Sequence, residues 1–177
     1  INERRPEPIT LRYFQYLALL YTEVFLDCRF KRPDELLRVL NEYVYSANAR
    51  KAAGDPLDQE VTETDLNKLA YWMATGGGKT LIMHFNYRQF LHYAKKPLDN
   101  ILLVTPNEGL TEQHMAEMTL SGIRCERFNL EESGLSLPER NVVRVIEITK
   151  LVGEKRGGGL SVPVDAFEGN NLILVDE

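Results

Sequence analysis

Two cysteines in 177 residues, Cys28 and Cys125, are too few for a disulfide framework. They form no CxxC pair and stand at no metal-ligand spacing from a histidine, which reads as reduced thiols in a cytosolic protein. Long apolar runs are missing as well. No stretch approaches the roughly 18 to 20 residues of a membrane-crossing helix, and no signal-peptide pattern opens the chain. Positive charge is not in excess: 21 Lys and Arg against 26 Asp and Glu give a net charge of −5. Any nucleic-acid contact must therefore come from local patches and backbone donors. There is no internal repeat and no low-complexity segment. What is left, 44% hydrophobic and 27% charged residues, is the composition of a soluble globular domain with its own core.

Glycine is concentrated where it matters most. Met73-Ala74-Thr75-Gly76-Gly77-Gly78-Lys79-Thr80 follows a short apolar run, Leu69 to Met73, that reads as a buried strand. A helical pattern from Leu81 to about Tyr93 comes after it. Strand, glycine-rich turn, Gly-Lys-Thr and helix is the arrangement of a phosphate-binding loop. Thr75, Gly76, Gly77 and Gly78 let backbone N–H groups curl round phosphate oxygens, with a helix N-terminus behind them. Lys79 would reach the β- and γ-phosphates of ATP, and the Thr80 hydroxyl would ligate Mg²⁺. Met73 stands where the strict pattern has its first glycine.

The rest of the chain predicts an α/β fold. Residues 1–8 are a polar lead-in with Pro6 and Pro8. From Thr10 the spacing predicts a helix whose apolar face is Phe14, Leu17, Tyr21, Val24 and Phe25, with its tyrosines half-buried in packing. Pro33 opens a second helix, with Leu36, Leu37, Leu40 and Tyr43 on its apolar side and an end near Ala49. Ala53 to Asp65 reads as a connecting loop. Strands are predicted at 100–105, 123–128, 141–148 and 172–175, and a helix over 108–120. Lys155-Arg156-Gly157-Gly158-Gly159 reads as a solvated basic tip. His84, His92 and His114 read as packing or surface residues, not ligands. Alternating strands and helices argue for a parallel sheet flanked by helices, whose ligands bind beyond the carboxyl ends of the strands.

Asp176 and Glu177 fall at such an end. Acidic groups there are costly without a partner or a task. Paired with Gly-Lys-Thr, the economical task is nucleotide hydrolysis, with Asp176 in the Mg²⁺ shell opposite Thr80 and Glu177 activating water. Lys79, Asp176 and Glu177 are then the catalytic set. The chain stops directly after this apolar run, which reads as part of a longer protein.

These stretches, in this order, resemble the first RecA-like domain of superfamily 2 (DEAD/DEAH-like) helicases and translocases. The similar branch is that of restriction-enzyme motor subunits of the type III kind. Leu11 to Gln15 resembles the upstream adenine-reading element, which implies that Gln15 contacts adenine. Met73 to Thr80 resembles motif I, Pro106 to Gln113 motif Ia, Ile148 to Leu151 the Ib segment, and Val175 to Glu177 the start of motif II. The resemblance implies a truncated RecA-like P-loop NTPase preceded by an N-terminal helical segment. Residues 1–65 would be that segment with its linker, and 66–177 the ATPase portion. It implies ATP and Mg²⁺ as cofactors and nucleic acid, DNA before RNA, as the track. Pro106, Asn107 and Thr149 are the candidate backbone contacts, with helix capping an equal explanation for Asn107 and Thr149. A second RecA-like domain of the parent chain, and a nuclease or methylase subunit, are the implied partners. With no membrane partner, the implied setting is cytoplasmic. By itself the 177-residue piece is expected to bind nucleotide weakly and hydrolyse it hardly at all. A P-loop ATPase that remodels protein complexes and a non-hydrolysing scaffold are the alternatives.

Overall fold

The computed structural model describes residues 1–2, 4–128, 141–152 and 162–176. The basic tip at 155–159 and Glu177 lie outside the described residues. The chain divides into two units, one of residues 11–82 and 86–94, the other of residues 1–10, 83–85 and 95–177. Among the described residues no helix is long and apolar enough to cross a membrane.

The helical unit begins with α1 (Tyr13–Lys31) and α2 (Pro33–Asn48). Pro33 sits at the start of α2, where its missing N–H leaves nothing unpaired, and Asp34 and Glu35 meet the positive helix end. The buried stripe of α1 is Gln15, Leu19, Thr22 and Leu26, not the predicted aromatic face. Phe14, Tyr21 and Val24 are exposed, as are Tyr13 and Tyr16. The reason lies in the polar tips. Gln15 and Thr22 find hydrogen-bond partners inside the unit, whereas the phenols keep their hydroxyls in water.

The residues after α2 are tied down, not a free linker. Asn41 exchanges two hydrogen bonds with the backbone of Val61, at 3.0 and 2.8 Å. Two turns further along α2, Asn48 does the same with Asp58, at 2.9 and 2.8 Å. Each amide acts as a short piece of strand for the returning backbone.

The run Leu69 to Met73 is not a strand. It carries no regular structure, pairs with no described strand, and leaves Trp72 fully exposed at 103%. The Tyr71 hydroxyl instead meets Thr22 of α1, and Tyr71 and Met73 are half-buried. A short apolar run needs only one surface to pack on, and hydropathy does not say whether that surface is a sheet or a helix. Between α1 and this segment runs an apolar groove of about 530 Å³, with Phe14, Leu17, Tyr21, Phe25 and Trp72 among its walls.

The last helix of this unit, α3 (Lys79–Tyr93), begins at the glycine turn. Its Tyr93 hydroxyl donates to Glu23 of α1 at 2.6 Å, and the accepting carboxylate pushes the phenol up to about 12. Phe30 meets the edge of Phe90 with ring centres 5.7 Å apart.

The other unit is a parallel sheet of four strands in the order β2-β3-β1-β6. These are β1 (Asn100–Thr105), β2 (Cys125–Arg127), β3 (Val143–Glu147) and β6 (Asn171–Val175). β1 pairs with β3 on one side and β6 on the other, and Ile101 to Thr105 are all buried. Its unbroken apolar sequence fits a strand covered on both faces. The helix α4 (Glu108–Leu120) packs on β1, β2 and β3 and buries Thr111, His114 and Met118. Two-residue strands β4 (Leu151–Val152) and β5 (Val162–Pro163) form a second parallel pair. Val162 joins Val104 and Ile146 in an apolar cluster closed by Phe128, Leu151 and Phe167.

Candidate nucleotide and nucleic-acid site

Each half of the predicted site lies within its own unit. In the helical unit, Gly76 and Gly78 adopt left-handed backbone angles, with φ of +73° and +88°. Only glycine does this freely. The Gly77 N–H donates to the Ala74 carbonyl at 2.9 Å, closing a tight turn just before α3. A Cβ on Gly77 would lie 2.8 Å from that carbonyl oxygen. Glycine turns and helix N-termini are where backbone N–H groups bind phosphate oxygens, and here the two are joined at Gly78. Lys79 and Thr80 occupy the first two helical positions. The Lys79 ammonium donates to the Met73 carbonyl at 3.2 Å, an exchangeable contact that a phosphate could replace.

Gln15, 7% exposed, holds this loop. Its Nε2 donates to the Gly77 carbonyl at 2.8 Å. Its Oε1 accepts the N–H of Arg12 at 2.9 Å, closing the start of α1. One amide hydrogen and one oxygen lone pair remain. That is the donor–acceptor pair an adenine edge takes from an amide side chain.

In the sheet unit, Asp176 follows β6 directly. Its N–H donates to the Val104 carbonyl at 3.1 Å, which continues the ladder one residue past the strand. Its carboxylate is 13% exposed, and Oδ2 accepts from His114 Nε2 at 2.8 Å. Because the parallel register aligns Val104 with Val175 and Thr105 with Glu147, the carboxyl edge of the sheet carries three predicted segments together. These are Pro106-Asn107 after β1, Thr149 after β3, and Asp176 after β6. Asn107 caps α4 by accepting the N–H of Leu110 at 3.0 Å, and both Asn107 and Thr149 are exposed. Capping and an outward face coexist at Asn107. Thr149 lies in a short 3₁₀ turn, and among the described residues its side chain caps nothing.

The sequence reading missed one feature of this edge. His114, set aside as a packing residue, is bonded to the predicted metal carboxylate, and only the fold brings the two together. His84, also buried, holds Ser121 through Nδ1 at 2.9 Å.

A family model for the type III restriction enzyme res subunit matches residues 31–177, from the end of α1 through Asp176 and beyond. The chain belongs to that family. No curated protein matches it, and no solved structure does. As a res-subunit domain it has the parallel α/β architecture of a RecA-like fold and is an ATP-dependent, helicase-like motor domain. Res-subunit domains generally use ATP with a metal. The residues present fit both. Lys79 and Thr80 offer the ammonium and hydroxyl that phosphate and Mg²⁺ take, and among the described residues Asp176 Oδ1 accepts no hydrogen bond. Among the described residues no group of three or more His, Cys, Asp or Glu is placed to hold a metal alone. A cation here would need phosphate oxygens as well, which is how Mg²⁺ binds in nucleotide sites.

Proposed function

We propose that this chain is the ATP-binding motor portion of a nucleic-acid translocase or helicase that acts on DNA, in a restriction or defence setting in the cytoplasm. The observation that carries the reading is the left-handed Gly76 and Gly78 turn, feeding Lys79 and Thr80 into α3, in a res-subunit domain. Lys79 and the loop N–H groups bind the phosphates. Thr80 and Asp176 hold Mg²⁺, which when bound supplies charge neutralisation on the phosphates. Glu177 orients and deprotonates the attacking water. Gln15 reads the adenine with its free amide pair. Pro106, Asn107 and Thr149 support the track reading by sharing the carboxyl edge with Asp176, where N–H groups and hydroxyls suit phosphate oxygens without reading bases. Residues 1–65 serve as a helical segment ahead of the ATPase portion at 66–177. A second RecA-like domain, and a nuclease or methylase subunit, complete the machine.

The test is ATP hydrolysis by the full native polypeptide without polymer, with single- and double-stranded DNA, and with RNA, using Lys79→Ala as the blank. Stimulation by DNA, lost in the blank, is the expected result. Stimulation by RNA alone moves the track. Lys79-dependent turnover indifferent to every polymer points to a protein-remodelling ATPase, and no turnover at all to a nucleotide-binding scaffold.

A further inference from the structure

We infer that His114 is the residue that orients Asp176 for its cation, holding one carboxylate oxygen so that the other is presented. The inference rests on the proposed function, and it gives α4 a task in the nucleotide site. Asp176 follows β6, which among the described strands is an outer one with Ile173 and Val175 exposed, so the sheet restrains its backbone but not its carboxylate. His114 supplies that restraint at 2.8 Å. An ionised carboxylate only accepts hydrogen bonds, so Nε2 carries the hydrogen.

The imidazole is itself well held. Asn107 caps α4, and the Thr111 hydroxyl, one turn before His114 on the same helix face, meets the Thr105 hydroxyl at 2.6 Å. Arg127 binds Glu108 at 3.2 Å and also Glu112, tying the outer face of α4 to β2. The carboxylate is therefore positioned by a ring that α4 fixes against the end of β1.

Packing alone does not call for histidine at this position. The ring is 2% exposed, and among the described residues its Nδ1 has no partner. A leucine would fill similar space without stranding a buried nitrogen. The bond to Asp176 is what histidine adds. Hydrogen bonds to metal-bound carboxylates keep them aimed, and losing such a bond weakens metal affinity or activity by about 10- to 100-fold.

The test compares His114→Leu and His114→Gln in the full native polypeptide, since a glutamine N–H has nearly the reach of Nε2. The Mg²⁺ concentration for half-maximal ATP turnover should rise about tenfold or more in His114→Leu. KM for ATP at saturating Mg²⁺ should stay within about twofold, and His114→Gln should restore most of the loss. Independently of turnover, Mn²⁺ bound with ADP, read by electron paramagnetic resonance, should weaken by a similar factor in His114→Leu, with Asp176→Asn as the floor. A cooperative urea transition in His114→Leu that begins well above the assay conditions separates the effect from misfolding.

Parent-like Mg²⁺ and Mn²⁺ dependence in His114→Leu overturns the inference, as does equal loss in both variants. Absence of Lys79-dependent turnover in the parent removes the proposed function. Asp176-dependent Mn²⁺ binding then still decides the role of His114, and its absence from the parent overturns that role too.

Discussion

A single amide at Gln15 serves the start of α1 and the glycine turn together. Its truncation should be felt twice. Gln15→Ala should lower stability by about 1–2 kcal/mol, read from urea midpoints, by opening the cap and unpairing a buried carbonyl. It should also weaken ATP binding about tenfold more than GTP binding, measured with fluorescent analogues, if the free donor and acceptor read adenine. Equal losses for the two nucleotides would confine Gln15 to holding the loop. Gly78 belongs to the same contact: a Cβ there would lie 2.5 Å from Gln15 Nε2, on a backbone at φ +88°. None of this closeness is visible in the sequence, because Gln15 and Gly77 are separated by 62 positions. The spacing of Gly76, Gly77, Gly78, Lys79 and Thr80 was legible there, since that chemistry is contained in consecutive residues.

Local sequence signals place the ends of α4 and β1 better than they place the buried face of α1. The predicted helix over 108–120 and strand over 100–105 coincide with α4 and β1, because caps, breakers and apolar runs act locally. The face of α1 was read from hydropathy as aromatic, and the structure buries Gln15, Leu19, Thr22 and Leu26 instead. This leads to a direct comparison. Leu26→Ala should cost about 2–5 kcal/mol by chemical denaturation, as expected for a buried leucine. Tyr21→Ala, at a position 70% exposed, should stay within about 0.5 kcal/mol. The reverse order would restore the aromatic face to the interior.

Across the whole molecule, backbone pairing is unevenly distributed. β1 is bonded on both sides, while Leu69 to Met73 pairs with no described strand. In native-state hydrogen exchange the amides of Leu102, Leu103 and Val104 should be among the slowest, with those of 69–73 exchanging early. Trp72, the single tryptophan, reports on the same segment optically. Its emission should be that of a water-exposed indole and open to quenching by iodide. A blue-shifted, protected Trp72 with slow amides at 69–73 would mean that this run is a paired strand after all.

The glycine turn with Gly-Lys-Thr was legible in the sequence because it lies in consecutive residues, and the parallel α/β class because apolar strands alternating with helices leave few other topologies. Which side of α1 is buried, how Gln15 grips Gly77, and the bond from His114 to Asp176 were decided only in three dimensions. Those contacts join positions far apart in the chain. Their energy depends on desolvation and on hydrogen-bond geometry that tertiary packing alone creates.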